Sequence, residues 1–173
     1  MSELNLSGQW AFQIDSLEKG ISEKWFERSL SDTIKLPGSM PEQSKGVKVG
    51  YNTDFTANIW KQYEDGKSWY DDENYKPYLS DEEFKFPFWL ISDYHYVGAA
   101  WYQKEVIIPE EWDGKSIELF FERPHWETQV WINGNYAGLN NALGVPHKYS
   151  VGQFLQTGKN RITIRVDNRI KDI

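Results

Sequence analysis

Residues Glu127–Leu139 read ETQVWINGNYAGL. Thr128, Val130 and Ile132 alternate with Glu127, Gln129 and Trp131, the period of two that marks a strand. Asn133-Gly134 follows at once. Both residues tolerate positive φ, so the pair predicts a two-residue hairpin turn, and NYAGL begins the return strand. Working outward, the same period recurs on both sides. SIELFFERP places Ile117, Leu119 and Phe121 on one face. AAWYQKEVIIP places Trp101, Gln103, Glu105 and Ile107 opposite Tyr102, Lys104, Val106 and Ile108, and Pro109 ends it. GKNRITIRVDN aligns Ile162, Ile164 and Val166, and GQWAFQID aligns Trp10, Phe12 and Ile14. TIKLPGSMP adds a short strand closed by the Pro37-Gly38 turn. Seven to nine short strands, spaced by turns and with almost no helix, predict an all-β antiparallel sandwich or jelly roll.

Two segments break the pattern. SLEKGISEKWFERSLSD, residues 16–32, predicts at most a helical turn near Glu23–Ser29, with Trp25, Phe26 and Leu30 sharing a face. Residues 39–95 are long and weakly periodic. Within them Lys61–Lys85 carries eight acids against four lysines. Long irregular loops in compact domains are uncommon and usually functional or poorly ordered. The aromatics Tyr63, Trp69, Tyr70, Tyr75 and Tyr78 argue against full disorder. A partly ordered insertion is the expectation.

Composition narrows the function classes. The chain has 173 residues, enough for one domain with a real core. Its net charge of −7 argues against nucleic acid or an anionic membrane as partner, since both need a basic face. The start MSELNLSGQW has neither a basic nor an apolar signal-peptide region. The absence of cysteine excludes disulfides and Cys-based zinc sites, and the compartment stays open. Aromatic residues reach 16%, which suits both a sandwich core and surfaces that bind by stacking.

The ordered set of motifs is more specific than any one of them. Gly8, Trp10 and Phe12 open the series, followed by Pro37 and Gly38, then Trp101 and Tyr102, Ile108 and Pro109, Leu119 and Phe121. Val130, Trp131, Asn133 and Gly134 come next, then Pro146 and His147. Gly158, Asn160, Ile162, Ile164, Val166 and Asn168 close it. Over residues 5–38 and 98–169 this order resembles the N-terminal sugar-binding domain of glycoside hydrolase family 2, the group of β-galactosidases, β-glucuronidases and β-mannosidases. The departure is the insertion, longer and more aromatic than the family pattern, which leaves the sugar open. The resemblance implies a galactose-binding-domain-like jelly roll covering 1–173, with the insertion at about 39–95. It implies retaining hydrolysis by two glutamates on a TIM barrel. A barrel typically needs about 250 residues, so it does not fit in this chain. The closing RVDNRIKDI is read as leading onward, and the chain as an N-terminal piece of a longer enzyme. The implied partners are a terminal β-linked sugar, the remaining domains of the same polypeptide and, in the full enzyme, further copies of itself. Periplasmic or secreted placement follows from the resemblance alone.

Independent catalysis finds little support in the residues. His95, His125 and His147 lie 30 and 22 residues apart, without the short spacing of a metal motif. No turn of the G-x-S-x-G kind positions a nucleophile. No catalytic residue, cofactor or metal is therefore expected. Three segments are candidates for carbohydrate. In ERPHWETQ, Pro124 breaks a strand, so His125 and Trp126 are expected on a loop or bulge. Arg123, His125, Trp126 and Glu127 offer a ring for a sugar's C–H face and polar groups for its hydroxyls. The plainer alternative packs Trp126 against the rim and pairs Arg123 with Glu122 or Glu127. In LNNALGVPHKY, Asn140, Asn141 and His147 are expected in a loop after the hairpin, where recognition commonly sits, though Asn is also an ordinary turn residue. In FPFWLISDYHYVG, Trp89 and His95 lie where the insertion rejoins the sandwich. Trp131 is read as a core residue. A free carbohydrate-binding module and a protein-interaction domain remain alternatives to the enzyme-domain reading.

Overall fold

A computed structural model describes residues 2–50, 53, 72–79 and 90–170. Their contacts divide the chain into two compact units, residues 1–38 with 97–173, and residues 39–96.

The first unit is a sandwich of antiparallel strands. Its main sheet has six strands: β1 (Gly8–Asp15), β2 (Asp32–Leu36), β5 (Ala99–Ile108), β7 (Glu127–Ile132), β8 (Asn135–Asn140) and β10 (Gly158–Asp167). They run in the order β2-β1-β5-β10-β7-β8. Strands β6 (Glu118–Phe121) and β9 (His147–Ser150) form a separate pair. The all-β antiparallel expectation is met, and so are the Asn-Gly hairpin and every strand read from alternation.

Register explains where the core sits. Phe12 pairs with Tyr102, Tyr102 with Ile164, and Ile164 with Val130, so one row of large side chains crosses four strands on one face. Phe12 and Tyr102 meet edge to face at 5.2 Å. The β6–β9 pair covers this face, with Leu119 opposite Tyr149. Gly138, across from Val130, lets Tyr149 approach: an added Cβ would stand 3.4 Å from its ring. Strand β9 was not expected. HKYS has only two alternations, too few to stand out in a Gly/Pro-interrupted stretch. His147 and Tyr149 nevertheless point inward while Lys148 and Ser150 are exposed.

The opposite face carries a second aromatic cluster. Trp25, Leu30, Trp101 and Trp131 are buried together, with Phe26 packed against them. Trp101 and Trp131 stack at 5.1 Å, and Phe26 lies nearly parallel to Trp131 at the same distance. Trp131 is thus a core residue, as read from the sequence. Trp25, Phe26 and Leu30 do share a face, but on successive turns rather than a helix. Asp15 organises that segment. Its carboxylate accepts hydrogen bonds from Lys19 N, Gly20 N and the indole of Trp101. Gln103 donates to the carbonyls of Trp25 and Arg28. These bonds satisfy the polar groups of a buried turn, which would otherwise cost about 1–3 kcal/mol each.

The 39–96 unit contains strands β3 (Val47–Lys48) and β4 (Tyr94–His95), paired antiparallel. It also has 3₁₀ turns at Pro41–Gln43 and Glu73–Tyr78. The acid-rich run Lys61–Lys85 falls largely outside the described residues.

Candidate functional site

Two of the three candidate segments meet at one end of the sandwich. The β6–β7 connection, residues 122–126, lies beside the β8–β9 connection, residues 141–146. The link is Trp126, whose indole N–H donates to Asn141 O at 2.7 Å. Its backbone N–H donates to Asp167 O at 3.3 Å, tying the same residue to β10. Trp126 is only 8% exposed. The His125–Trp126 peptide is cis. His125 is exposed next to it, with ring centroids 6.2 Å apart.

Behind this end lies a buried polar chain. Thr128 Oγ1 stands 2.6 Å from His147 Nδ1 and 2.6 Å from Tyr149 Oη. Tyr149 shares its single hydroxyl hydrogen between Thr128 Oγ1 and Thr128 O, the latter 3.0 Å away. His147 Nε2 is 2.8 Å from Ala142 O, an acceptor only, so Nε2 carries the hydrogen. In the neutral imidazole Nδ1 then accepts from Thr128. Burial pushes the Tyr149 phenol above its usual range, and the Thr128 hydrogen bond works against that rise. His147 had been expected in a loop. It opens β9 instead and is fully buried. Asn140 is likewise the last residue of β8, not a loop residue, and its side-chain oxygen accepts from Ala142 N at 3.0 Å. Both hold the turn that presents Asn141.

Charge is concentrated along the adjacent edge. Glu127 pairs with Arg165 at 3.5 Å, and Arg165 with Asp167 at 3.1 Å. Arg169 grips Asp167 through Nε and Nη2 at 2.9 and 2.6 Å and reaches Glu18 with its other nitrogen. Hydrogen bonds to Asp167, then to Glu18, raise the Arg169 guanidinium still further above its ordinary range. The Asp167 and Arg165 side chains are 1% and 8% exposed, so each depends on its partner. Removing one member of such a buried pair typically costs about 3–5 kcal/mol. Arg165 and Asp167 were not among the candidates. They sit at i and i+2 on the polar face of β10, which also carries Lys159, Arg161 and Thr163, so nothing in the alternation singles them out, and only the register brings Asp167 against Glu127.

The remaining candidates are placed differently. Arg123 is open to solvent, 3.5 Å from Glu122, with both side chains more than two-thirds exposed. His95 belongs to the 39–96 unit, in β4 opposite Val47. Trp89 lies outside the described residues. Among the described residues no group of three or more His, Asp or Glu is arranged to hold a metal ion.

The end of the sandwich therefore carries an exposed imidazole at His125 and the Asn140–Asn141 turn on a rigid frame, beside carboxylates already paired with Arg165 and Arg169. Residues 65–172 match the family model described as glycosyl hydrolases family 2, sugar binding domain. The chain belongs to this family. A β-glucuronidase from Paenibacillus borealis is 25% identical over 165 residues, which cover 95% of this chain and 21% of that protein. A β-glucuronidase from Chlorocebus aethiops is 30% identical, with coverage of 95% and 21%. A β-galactosidase from Priestia megaterium is 26% identical, with coverage of 94% and 14%. The solved β-glucuronidase of Ruminococcus gnavus shares the fold, with a TM-score of 0.63 at 20% identity over 96% of this chain and 21% of that one. The chain thus spans about a fifth of the length of these three glucuronidases.

Family membership gives the hairpin motif a structural role. Asn133 and Gly134 have φ of 50° and 82°, as a two-residue turn of this type requires. Asn133 Nδ2 donates to Asn160 Oδ1 at 2.8 Å, and its Oδ1 accepts from Arg161 N at 2.9 Å. Asn160 in turn closes the turn before β10 through Gln156 N and Gln156 O. The V-W-x-N-G and G-x-N motifs are two halves of one clasp.

Proposed function

We propose that this chain is a non-catalytic sugar-binding domain of a retaining family 2 glycosidase, covering 1–173 with an insertion at about 39–95. In this reading it braces a catalytic barrel carried elsewhere on the polypeptide and helps shape the pocket for a terminal β-linked sugar. The observation that carries it is the family match across a chain whose polar groups at the loop end serve the frame. His147, Thr128 and Tyr149 satisfy one another, which leaves His147 without the open ring nitrogen that a general base needs. His125, Asn140, Asn141 and Glu127 are the proposed sugar-facing groups, with Trp126 holding the two loops together. Arg123, on the same connection as His125, and Trp89 and His95, from residues 39–96 of the sequence, complete the proposed set. The glucuronidases and galactosidases among the relatives support a β-linked hexose or hexuronic acid as substrate.

The test is an assay of the purified chain against 4-nitrophenyl β-D-glucuronide and β-D-galactoside, with calorimetric titration of the free sugars. The proposal expects no turnover. Turnover that follows the folded chain through purification would overturn it. Binding of one sugar at millimolar or tighter affinity, without turnover, would favour a free carbohydrate-binding module.

A further inference from the structure

A second site lies on the sheet face away from the loop end. Where the main sheet emerges from beneath segment 16–31, two adjoining depressions of about 420 and 260 Å³ share Glu105 and Arg161 as common lining. Strands β1, β5 and β10 form the floor, and residues 26–29 form a wall. In register Arg161 stands directly opposite Glu105. Lys159 Nζ is 2.8 Å from Glu105 Oε2, and Arg161 Nη2 is 3.8 Å from Oε1. Arg161 also reaches Glu27 O at 3.4 Å.

Three features suit a pyranose. The first is an aromatic wall. Phe26 lines the larger depression, is only partly buried, and is held in place by stacking on Trp131. Sugars bury their C–H faces on such rings. The second is the pairing of donors and acceptors. A hydroxyl both donates and accepts. A carboxylate flanked by two cations can accept from one sugar hydroxyl while an adjacent ammonium donates to the next. The third is preorganisation. The Asn133–Asn160 clasp fixes the end of the groove. A fixed polar shell limits the ordering cost of a weak ligand.

We infer that this groove is an ancillary saccharide-binding site, with Phe26 as the stacking platform and Glu105, Lys159 and Arg161 as the hydroxyl-holding group. It goes beyond the proposed function, does not rest on it, and uses none of the loop-end residues. The shared ligand chemistry is a pyranose ring, and neutral and uronate sugars are its two sources.

The experiment is a ¹⁵N NMR titration of the chain with methyl β-D-galactoside and, separately, methyl β-D-glucuronide, with glycerol as control. Expected are saturable shifts of the Gly134, Lys159 and Arg161 amides by at least one sugar, with millimolar affinity. Shifts by both would assign the ring as the recognised element, and by the glucuronide alone the added carboxylate. Glu105→Gln and Lys159→Ala should each weaken binding at least fivefold, and both side chains are more than half exposed, so the fold stays intact. The inference is overturned by no saturable shift, by an equal response to glycerol, or by shifts confined to 122–126 and 140–146. That last outcome would leave the loop-end reading standing alone.

Discussion

An added Cβ at Gly20 would stand 2.3 Å from the Trp101 indole nitrogen and 2.6 Å from an Asp15 carboxylate oxygen. Both contacts belong to the hydrogen bond that holds segment 16–31 on the sheet. Gly20→Ala should therefore destabilise the chain by about 1–3 kcal/mol, as overpacking does. Urea unfolding followed by tryptophan fluorescence checks it. Tyr149 offers a second test. Its buried phenol keeps the proton in the folded state to a higher pH than in the unfolded chain, whose reference value is 10.0. That contribution is complete below pH 10 and is lost as pH rises through the folded value. Tyr149→Phe should cost about 1 kcal/mol at neutral pH. It should also flatten the fall in stability above pH 10, measured by denaturant midpoints. A slope identical to the parent's would show that Tyr149 titrates as if exposed. At this scale the sequence was only partly legible. The sequence leaves Trp126 open between a ring for a sugar and packing against the rim, and the partner of its indole N–H, the Asn141 carbonyl, is set by how two loops fold together.

The hairpin between β7 and β8 is the element on which the most depends. Asn133 combines a positive φ with three side-chain hydrogen bonds, to Phe154 O, Asn160 Oδ1 and Arg161 N. Asn133→Ala removes all three and keeps the unfavourable backbone, so a loss of about 2–3 kcal/mol is expected, read by thermal unfolding. Asn133→Gly relieves the backbone and should cost less. Legibility at this scale follows the number of repeats. β5 and β10 run ten residues each and declare themselves by alternation. β9 has four residues, and its first, His147, is a polar residue turned inward, so its pattern points the wrong way until Thr128 and Ala142 are seen as its partners. The turns of residues 16–31 are held by Asp15 and Gln103 from strands β1 and β5, contacts that no local period announces.

At the scale of the molecule, the main sheet carries an aromatic cluster on each face, and Asp167 and Arg169 interlock at the β10 exit. Asp167→Asn would leave Arg165 and Arg169 short of a counter-charge, and a loss of about 3–5 kcal/mol is expected from denaturant unfolding. The fold and family were legible at this scale because the order of many weak motifs is more specific than any single one. The sugar was not, because specificity rests on a few side chains at loop ends. The central claim is that this domain serves a retaining glycosidase. Reading the coding sequence beyond the codon for Ile173 tests it most directly. The account predicts several hundred further codons encoding a barrel, with two glutamates at strand ends. A stop codon soon after Ile173 would contradict it and leave a free-standing binding domain.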